Sequence, residues 1–412
     1  MRRSVLDNWI QQKEEIAELN RASIEEMQLK KINALFARVK EKSAYYSYLP
    51  GGMDSLADMQ AVALLSERQL TANHRQMLLL SQSRVEKVIT MYSSATTGQA
   101  KRLFFSEEDI EKTVDFFACG LREIATEGDR CLVWMPANAE HSVGALIARA
   151  LERINVAVFS CSLDETFDAL ACLVEEKKIN CAVAMPFKML SLMRYADKIG
   201  KSLPLKSVLI SADSAPPFLK KELDERFSLH VIEHYGLSES GLGGAVECGD
   251  KSGMHIREND LLIEITDEKG NWVRDGQEGE IVLTTLCHEA MPLIRYRTGD
   301  KGKISAQACA CGSTLKKLQN VRREAVSNEM SPLDAVLFTR DGVLDYRVAR
   351  QEKRVTIDIV LTDKADREVI EKELEYVILQ KGWGVNIEIH WHTEKWRRHA
   401  PYYTAKRKIM TE

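Results

Sequence analysis

Residues 93–102 hold a cluster of small, polar and basic side chains that could bind phosphate. The cluster contains hydroxyls, one glycine and two bases, namely Ser93, Ser94, Thr96, Thr97, Gly98, Lys101 and Arg102. Hydroxyls and backbone N–H groups donate to phosphate oxygens, glycine permits unusual backbone angles, and the bases supply charge. The spacing is not that of a P-loop, because Ser93 replaces its first glycine and Lys101 stands three residues after Gly98. A phosphate clamp and a solvated linker both fit these residue types.

A second polar segment, "EHYGLSESG" at residues 233–241, directly follows an apolar run. Glu239 in this segment can coordinate Mg²⁺ on a nucleotide phosphate, because Mg²⁺ prefers carboxylate oxygens. Tyr235 offers an aromatic ring on which a base can stack. The alternative is an ordinary polar turn between a strand and a helix.

The third segment, "MPLIRYRTGD" at residues 291–300, carries two arginines and an aspartate. Arg295 and Arg297 are two residues apart, so on a strand they would share one face. Asp300 follows Gly299 in a turn, where its carboxylate can accept hydrogen bonds from two ribose hydroxyls. A buried pair of arginine and acid is the structural alternative.

Three cysteines and one histidine form a fourth candidate site. Cys248 and His255 lie in one segment, and Cys309 and Cys311 lie in another. This donor set fits a tetrahedral zinc site, although two cysteines with one intervening residue are closer together than the usual spacing. Because the protein would fill all four positions, the predicted zinc is structural and takes no part in catalysis.

The composition of the 412 residues limits the class of protein. The net charge is −4 with both signs interspersed, which argues against nucleic-acid binding. Since apolar runs are short and the N-terminus lacks an apolar stretch, we expect neither a membrane span nor a signal peptide. The nine cysteines are scattered through mostly apolar segments, which predicts a reduced, cytoplasmic setting.

Hydrophobic patterns predict an α/β fold. Residues 1–50 read as helical, and from about residue 85 to residue 235 apolar strands alternate with amphipathic helices. This alternation predicts parallel sheets covered by helices, with ligands beyond the carboxyl ends of the strands. Residues 253–304 read as an antiparallel subdomain. We predict a large N-terminal domain at 1–321 and a small α+β domain at 322–412.

The three polar segments, in this order and at these separations, resemble the adenylate-forming superfamily of acyl-CoA synthetases, luciferases and peptide-synthetase adenylation domains. The stretch from residue 205 to residue 316, which includes "RYRTGD" and "CACGSTL", is similar to the phenylacetate–CoA ligase branch. The resemblance implies an AMP-binding ligase that uses ATP, Mg²⁺ and coenzyme A on a small carboxylic acid, and the branch suggests an aryl or arylacetic acid. It also suggests a homodimer, and it adds support for the structural zinc.

The resemblance also implies a role for each matching residue. The loop from Ser93 to Lys101 would hold the ATP phosphates, with Thr97 taking part in catalysis, although Ala95 stands where the family usually has glycine. Glu239 would bind Mg²⁺, Asp300 the ribose hydroxyls, and Arg322 would open the hinge to the small domain. The adenine would be framed by Ser211, Ala212, Asp213 and Ser214 and by the strand end Tyr235-Gly236. Ser238 would also bind the nucleotide.

The catalytic lysine implied by the resemblance is Lys406, with Lys408 as second choice. A flexible cation there would stabilise the charge that develops between the carboxylate and the α-phosphate. A basic tail that only aids solubility is the alternative. The hinge departs from the family pattern, because Val321 replaces a glycine and Glu324-Ala325 replace paired acids.

Two other classes of protein remain open. An adenylyltransferase would stop after transferring AMP to a cofactor-like acceptor, and the altered hinge suits it, since no domain rotation would be needed. A non-catalytic nucleotide-binding protein is the other, which the substitutions at Ala95, Val321 and Ala325 allow. The acid pocket is expected between residues 133–144 and 234–245, where Trp134 and His234 are candidate lining residues or plain core residues.

Overall fold

The computed structural model describes residues 3–92, 100–137, 139–213, 215–323, 332–351, 354–362, 366–383, 386–393 and 410–411. The chain forms two compact units, each from two stretches of sequence. Unit 1 consists of Met1–Glu123 and Ile232–Arg322, and unit 2 consists of Ile124–Val231 and Arg323–Glu412. The predicted functional division at residues 321 and 322 stays a prediction.

The α-helices have the apolar faces expected from the sequence, and several of them begin at a side-chain cap. In chain order they are α1 (Val5–Lys13), α2 (Arg21–Lys42), α3 (Glu67–Met77), α4 (Glu107–Gly120), α5 (Val143–Arg153), α6 (Phe167–Glu176), α7 (Pro186–Lys198), α8 (Pro217–Lys221) and α9 (Arg367–Gln380). Ser66 caps α3 and Ser106 caps α4, each in a reciprocal capping box that satisfies free N–H groups. Among the described residues, no helix is long and apolar enough to cross a membrane.

The strands form a two-stranded hairpin and larger sheets. In chain order they are β1 (Lys87–Tyr92), β2 (Ala100–Phe105), β3 (Arg130–Trp134), β4 (Ala157–Ser160), β5 (Cys181–Ala184), β6 (Ser207–Ile210), β7 (His230–Tyr235), β8 (Ala245–Glu247), β9 (Met254–Ile256), β10 (Leu261–Thr266), β11 (Gly279–Thr285), β12 (Tyr296–Ile304), β13 (Lys317–Arg323), β14 (Val343–Gln351), β15 (Arg354–Leu361), β16 (Asn386–Thr393) and β17 (Met410–Thr411).

Unit 1 contains the predicted antiparallel strands. Their spatial order is β10-β11-β12-β13-β9-β8-β7, and β1 pairs with β2 in a separate antiparallel hairpin. Two of the predicted polar segments lie on this sheet. Residues 233–241 include the end of β7 and the turn after it, and residues 291–300 include the start of β12. Ala100, Lys101 and Arg102 of the first segment begin β2, so unit 1 holds parts of all three.

Unit 2 contains the predicted parallel strands, in the order β6-β5-β3-β4. Every residue of β5 and β6 is buried, which explains why these strands read as continuous apolar runs. The C-terminal part of the unit is a sheet of order β16-β15-β14-β17 with the helix α9. The predicted α/β class, with its parallel and antiparallel parts and a C-terminal α+β portion, is confirmed.

Candidate active site

Lys101 is the centre of a buried polar cluster in unit 1. It is the second residue of β2, and its neighbours at alternate positions, Leu103 and Phe105, are also buried. The ammonium group lies 2.6 Å from Glu239 Oε1 and 2.8 Å from Glu67 Oε1. A buried cation held by carboxylates in this way is a candidate partner for an anionic group such as a phosphate.

Glu239 receives hydrogen bonds from two other segments of the chain. It lies in the short 3₁₀ turn Ser238–Ser240 that follows β7, and only 7% of it is exposed. Its Oε1 accepts from Lys101 and, at 3.1 Å, from the Tyr296 hydroxyl at the start of β12. Lys101 also donates to that hydroxyl at 3.3 Å. Three segments that are distant in the sequence therefore meet at one carboxylate.

The charges of this cluster stabilise each other. Burial lowers the pKa of Lys101, but the neighbouring Glu239 and Glu67 outweigh burial and leave it raised. Burial likewise raises the pKa of Glu239, but Lys101 and the Tyr296 hydroxyl outweigh it, so the pKa lies below its ordinary value. Near neutral pH the cluster is therefore an ammonium–carboxylate pair, which is the ionic form that phosphate and metal binding require.

A second pair joins Tyr235 to Asp300. The Tyr235 hydroxyl donates to Asp300 Oδ2 at 3.0 Å, and both residues are buried. Asp300 lies within β12 and not in the turn expected from the sequence, and its backbone N–H donates to Thr298 Oγ1 at 3.0 Å. The structure thus brings the predicted ribose-binding acid against the predicted base-stacking ring.

Gly236 is required by the close approach of two backbone stretches. A Cβ at this position would lie 2.1 Å from the Leu242 carbonyl oxygen and 2.8 Å from Cε1 of His234. No side chain larger than hydrogen fits such contacts without moving the backbone. Gly241 ends the same turn in the left-handed region, with a φ of 70°. Both glycines therefore shape the turn that presents Glu239.

Other predicted residues lie elsewhere or outside the described residues. Ser211, Ala212 and Asp213 follow β6 in unit 2, at the carboxyl end of a parallel strand as expected, and Ala212 has a φ of 71°. Arg322 is part-exposed and forms a two-pronged ion pair with Glu278. The described ranges leave out Ser93, Ser94, Ala95, Thr96, Thr97, Gly98, Ser214, Glu324, Ala325, Lys406 and Lys408.

The prediction that Arg295 and Arg297 share one strand face is wrong. Arg295 precedes β12, has a φ of 49°, and is buried with its guanidinium 3.0 Å from Glu264. Arg297 is on the strand and pairs with Glu280 at 2.5 Å near the surface. The structural alternative, a buried arginine–acid pair, holds for Arg295, because its positive φ turns the side chain away from the strand's alternation.

Tyr296 was not recognised from the sequence. It stands between the two arginines, on which the prediction for this segment rested. On β12 it lies on the face opposite Arg297, and the sequence offers no further signal of its contact with Glu239. Glu67 was also missed, although the capping pattern "SERQ" marked it as the first residue of α3.

The two candidate pocket residues pack as core residues. Trp134 is fully buried in unit 2, and its indole N–H donates to the Ser162 carbonyl at 3.0 Å. His234 in unit 1 contacts the rings of Phe116 and Phe117, with centroids 6.0 Å and 5.8 Å away. Burial, helped by the charge of Arg257, lowers the pKa of His234 to about 4. It is therefore a neutral aromatic side chain at neutral pH.

The predicted zinc ligands come together in unit 1. Cys248, His255, Cys309 and Cys311 are all buried, and their ligand atoms lie within 4.8 Å of one another. Cys248 Sγ is 3.7 Å from Cys309 Sγ, and Cys311 Sγ is 3.4 Å from His255 Nε2. All nine cysteines of the chain, each within the described ranges, are free thiols. Three thiols and an imidazole in one buried cluster are the donor set that zinc prefers.

Comparison with known proteins agrees with this arrangement. A family model described as AMP-binding enzyme matches residues 47–287. The phenylacetate–coenzyme A ligase of Thermus thermophilus is 26% identical over 321 residues, which cover 73% of this chain and 70% of that protein. The phenylacetate–coenzyme A ligase of Aromatoleum evansii is 30% identical over 261 residues, which cover 61% of this chain and 58% of that protein.

A solved structure shows the same fold. It is 2-hydroxyisobutyryl-CoA ligase in the postadenylation state, in complex with an acyl-AMP. The TM-score is 0.75 at 16% identity, over 96% of this chain and 90% of that one. The chain belongs to the AMP-binding enzyme family, and within it resembles the phenylacetate–CoA ligases. The predicted membership of the adenylate-forming superfamily and the predicted class, an AMP-forming acid–thiol ligase, are confirmed.

Proposed function

We propose that this protein is an ATP-dependent carboxylate–CoA ligase that passes through an acyl-adenylate. The observation that carries the proposal is the contact of Lys101, Glu239 and Tyr296, beside the pair of Tyr235 and Asp300. These residues come from the three segments on which the resemblance rests. Because these residues meet within unit 1, they support a single nucleotide site and argue against three unrelated polar turns.

The reaction has two half-reactions. In the first, a carboxylate oxygen attacks the α-phosphorus of ATP, the bond to the leaving pyrophosphate breaks, and an acyl-adenylate forms. In the second, a thiolate attacks the acyl carbon, the bond to AMP breaks, and a thioester and AMP leave, with the thiol proton going to solvent. Both steps depend mainly on positioning and on stabilising charge, because the protein forms no covalent bond itself.

Each residue of the cluster has a role in this proposal. Lys101 and the hydroxyls of residues 93–97 would bind the phosphates, and Asp300 would accept from the ribose hydroxyls. Glu239 is the residue that would hold Mg²⁺, since its carboxylate is ionised, and the ion when bound would neutralise phosphate charge. Lys406 would stabilise the transition state of adenylation. The residues present thus fit both the nucleotide and the ion.

The identities of the acid and of the acceptor are also proposals. The curated relatives are phenylacetate–coenzyme A ligases by name, which supports coenzyme A as acceptor and an aryl or arylacetic acid as substrate. The predicted cytoplasmic location and the homodimer remain predictions. So does the rotation of residues 322–412 that would move Lys406 away between the two half-reactions.

The test of the proposed function is ATP–pyrophosphate exchange with a panel of aryl, arylacetic and aliphatic acids. We expect exchange that depends on the acid and is strongest with an aryl or arylacetic member. Adding coenzyme A should convert the same acid to a thioester with release of AMP. Exchange without thioester formation would favour the adenylyltransferase alternative. No exchange with any acid would favour a non-catalytic nucleotide-binding protein.

We also propose that the cysteine–histidine cluster binds a structural zinc ion. The four ligand atoms come from β9, from the turn after β8 and from the segment before β13, so the ion would tie these elements together. Asp250, on the turn after β8, lies 3.3 Å from Cys309 Sγ and can orient that thiol. With no open position, zinc would supply stability and no chemistry.

Replacing Cys311 with serine is expected to remove the metal. The wild-type protein should contain one zinc per chain by elemental analysis, and the variant close to none. Its free energy of unfolding should fall by several kcal/mol, because a structural zinc contributes directly to folding. Cys172→Ser is the matched control, since that thiol lies on α6 outside the cluster. Equal zinc content in wild type and Cys311→Ser would contradict the proposal.

A further inference from the structure

A second group of metal-binding side chains lies on the C-terminal sheet of unit 2. His390 and His392 are two residues apart on β16, and Asp358 is on the neighbouring strand β15. Strand alternation places all three on the outer face. The other face of β16 packs against the hydrophobic core through Ile387, Ile389 and Trp391, which alternate with the histidines. The core packing of these residues therefore fixes the face of β16 that carries the two imidazoles.

The strand register brings the carboxylate between the two rings. β15 and β16 are parallel, with Asp358 opposite His390 and Val360 opposite His392. Asp358 Oδ1 lies 3.2 Å from His390 Nδ1 and 2.9 Å from His392 Nε2. One ligand atom from each of the three residues lies within 4.8 Å of the others. One ion can therefore reach all three after small side-chain movements.

We propose that Asp358, His390 and His392 form a surface site for a divalent first-row transition ion. Two imidazoles and one carboxylate are donors for Zn²⁺, Ni²⁺ and Cu²⁺ and do not select Mg²⁺ or Ca²⁺. The site differs from the cysteine–histidine cluster in lacking thiols and in its exposure, which is 50% for the His390 side chain. Its remaining coordination positions face solvent and are open to water or to a second ligand.

The neighbouring charges leave these three residues as the donor set. Glu388 points to the same outer face, but it pairs with Arg354 at 2.9 Å. Arg347 on β14 is opposite Asp358 in the antiparallel register, so the carboxylate has a cation on one side and the histidines on the other. The bound ion would join β15 to β16 and should stabilise that pair of strands, because a ligand that binds the folded state raises stability.

Calorimetric titration of the whole protein with Ni²⁺ tests the proposal. Ni²⁺ is chosen because it binds imidazole well and does not oxidise the free thiols as Cu²⁺ would. The wild type is expected to bind one more Ni²⁺ per chain than the double variant His390→Asn, His392→Asn. Asp358→Asn should weaken this binding about 10-fold or more, since it removes one of three ligands. One equivalent of Ni²⁺ should raise the thermal midpoint of the wild type and leave that of the double variant unchanged.

Glu388→Gln is the matched control, because it removes a charge from the same strand face without removing a proposed ligand. It should bind Ni²⁺ as the wild type does. The comparison is independent of the cysteine–histidine cluster, which is intact in every variant, and of ligase activity, which is not measured. Equal Ni²⁺ binding by the wild type and the double variant overturns the proposal.

Discussion

Replacing Glu239 with glutamine is expected to lower the rate of ATP–pyrophosphate exchange by about 100-fold or more. Glutamine has nearly the same shape, so the turn after β7 should persist. The variant loses the negative charge that pairs with Lys101 at 2.6 Å and that would hold Mg²⁺ on the phosphates. The measurement is the exchange rate at saturating ATP and acid, with Mg²⁺ varied to reveal any change in the requirement for the ion.

Glu67→Gln is the control for this result. Glu67 touches the same ammonium at 2.8 Å, but 56% of its side chain is exposed, so water screens its charge. We expect less than about a 3-fold change in exchange for this variant, in keeping with the small energy of exposed ion pairs. If both variants lose activity equally, Glu239 acts only through the charge of Lys101. If neither loses activity, the cluster is structural and the nucleotide site lies elsewhere.

Replacing Arg194 with methionine is expected to destabilise unit 2 by about 3 kcal/mol, since it breaks a buried pair and strands several acceptors. Arg194 on α7 is buried and bonds both oxygens of Glu222, at 2.8 Å and 2.5 Å. It also donates to three carbonyls of the C-terminal part, those of Phe338, Arg340 and Val343, at 2.8–3.1 Å. The measurement is the urea midpoint, with hydrogen exchange of residues 338–344 as a local readout.

Arg226→Met is matched to this change. Arg226 pairs with the same Glu222 at 3.2 Å, and also with Asp197 at 2.7 Å and Asp341 at 3.0 Å. Its side chain is 36% exposed, so water screens these ion pairs. Its removal should shift the free energy of unfolding by no more than about 0.5 kcal/mol. A similar loss for both variants would mean that ion pairing, and not the burial of the three carbonyls, accounts for the effect of Arg194. An unchanged midpoint in Arg194→Met would contradict the account of this contact.

This contact bears on the domain rotation that the resemblance implies. Phe187 on α7 stacks against Phe338, with ring centroids 4.5 Å apart, and the Ser191 hydroxyl donates to the Leu344 carbonyl. Residues 338–344 therefore share a core with α7 in the structure described. A rotation of residues 322–412 as one body would have to separate them.

Much of the fold could be predicted because burial leaves a direct mark on the sequence. β5 and β6 are buried along their whole length and read as unbroken apolar runs, and α5 presents its apolar face at helical spacing. The start of α2 is less clearly marked, because the sequence offers two candidate capping boxes. Asn20 with Ser23 forms the box, so Ser23 occupies the third helical position and does not act as a cap for Glu26.

The site was predictable only in part, because its contacts are long-range. Lys101, Glu239 and Asp300 were found from residue type and from resemblance. The local sequence gives no sign that Lys101 contacts Glu239 or that Arg295 contacts Glu264. These contacts depend on how segments that are distant in the sequence pack together. The positive φ of Arg295, which separates it from Arg297, is likewise set by tertiary packing and has no signal in the sequence.

The most direct test of the central claim is the identity of the products when the protein is incubated with ATP, Mg²⁺, coenzyme A and an acid that supports exchange. Chromatography with mass spectrometry should find AMP, pyrophosphate and an acyl-CoA thioester in equal amounts, all absent when the acid is omitted. Formation of ADP and phosphate, or consumption of ATP that does not depend on any acid, would contradict the proposal that this chain makes an acyl-adenylate and passes its acyl group to a thiol.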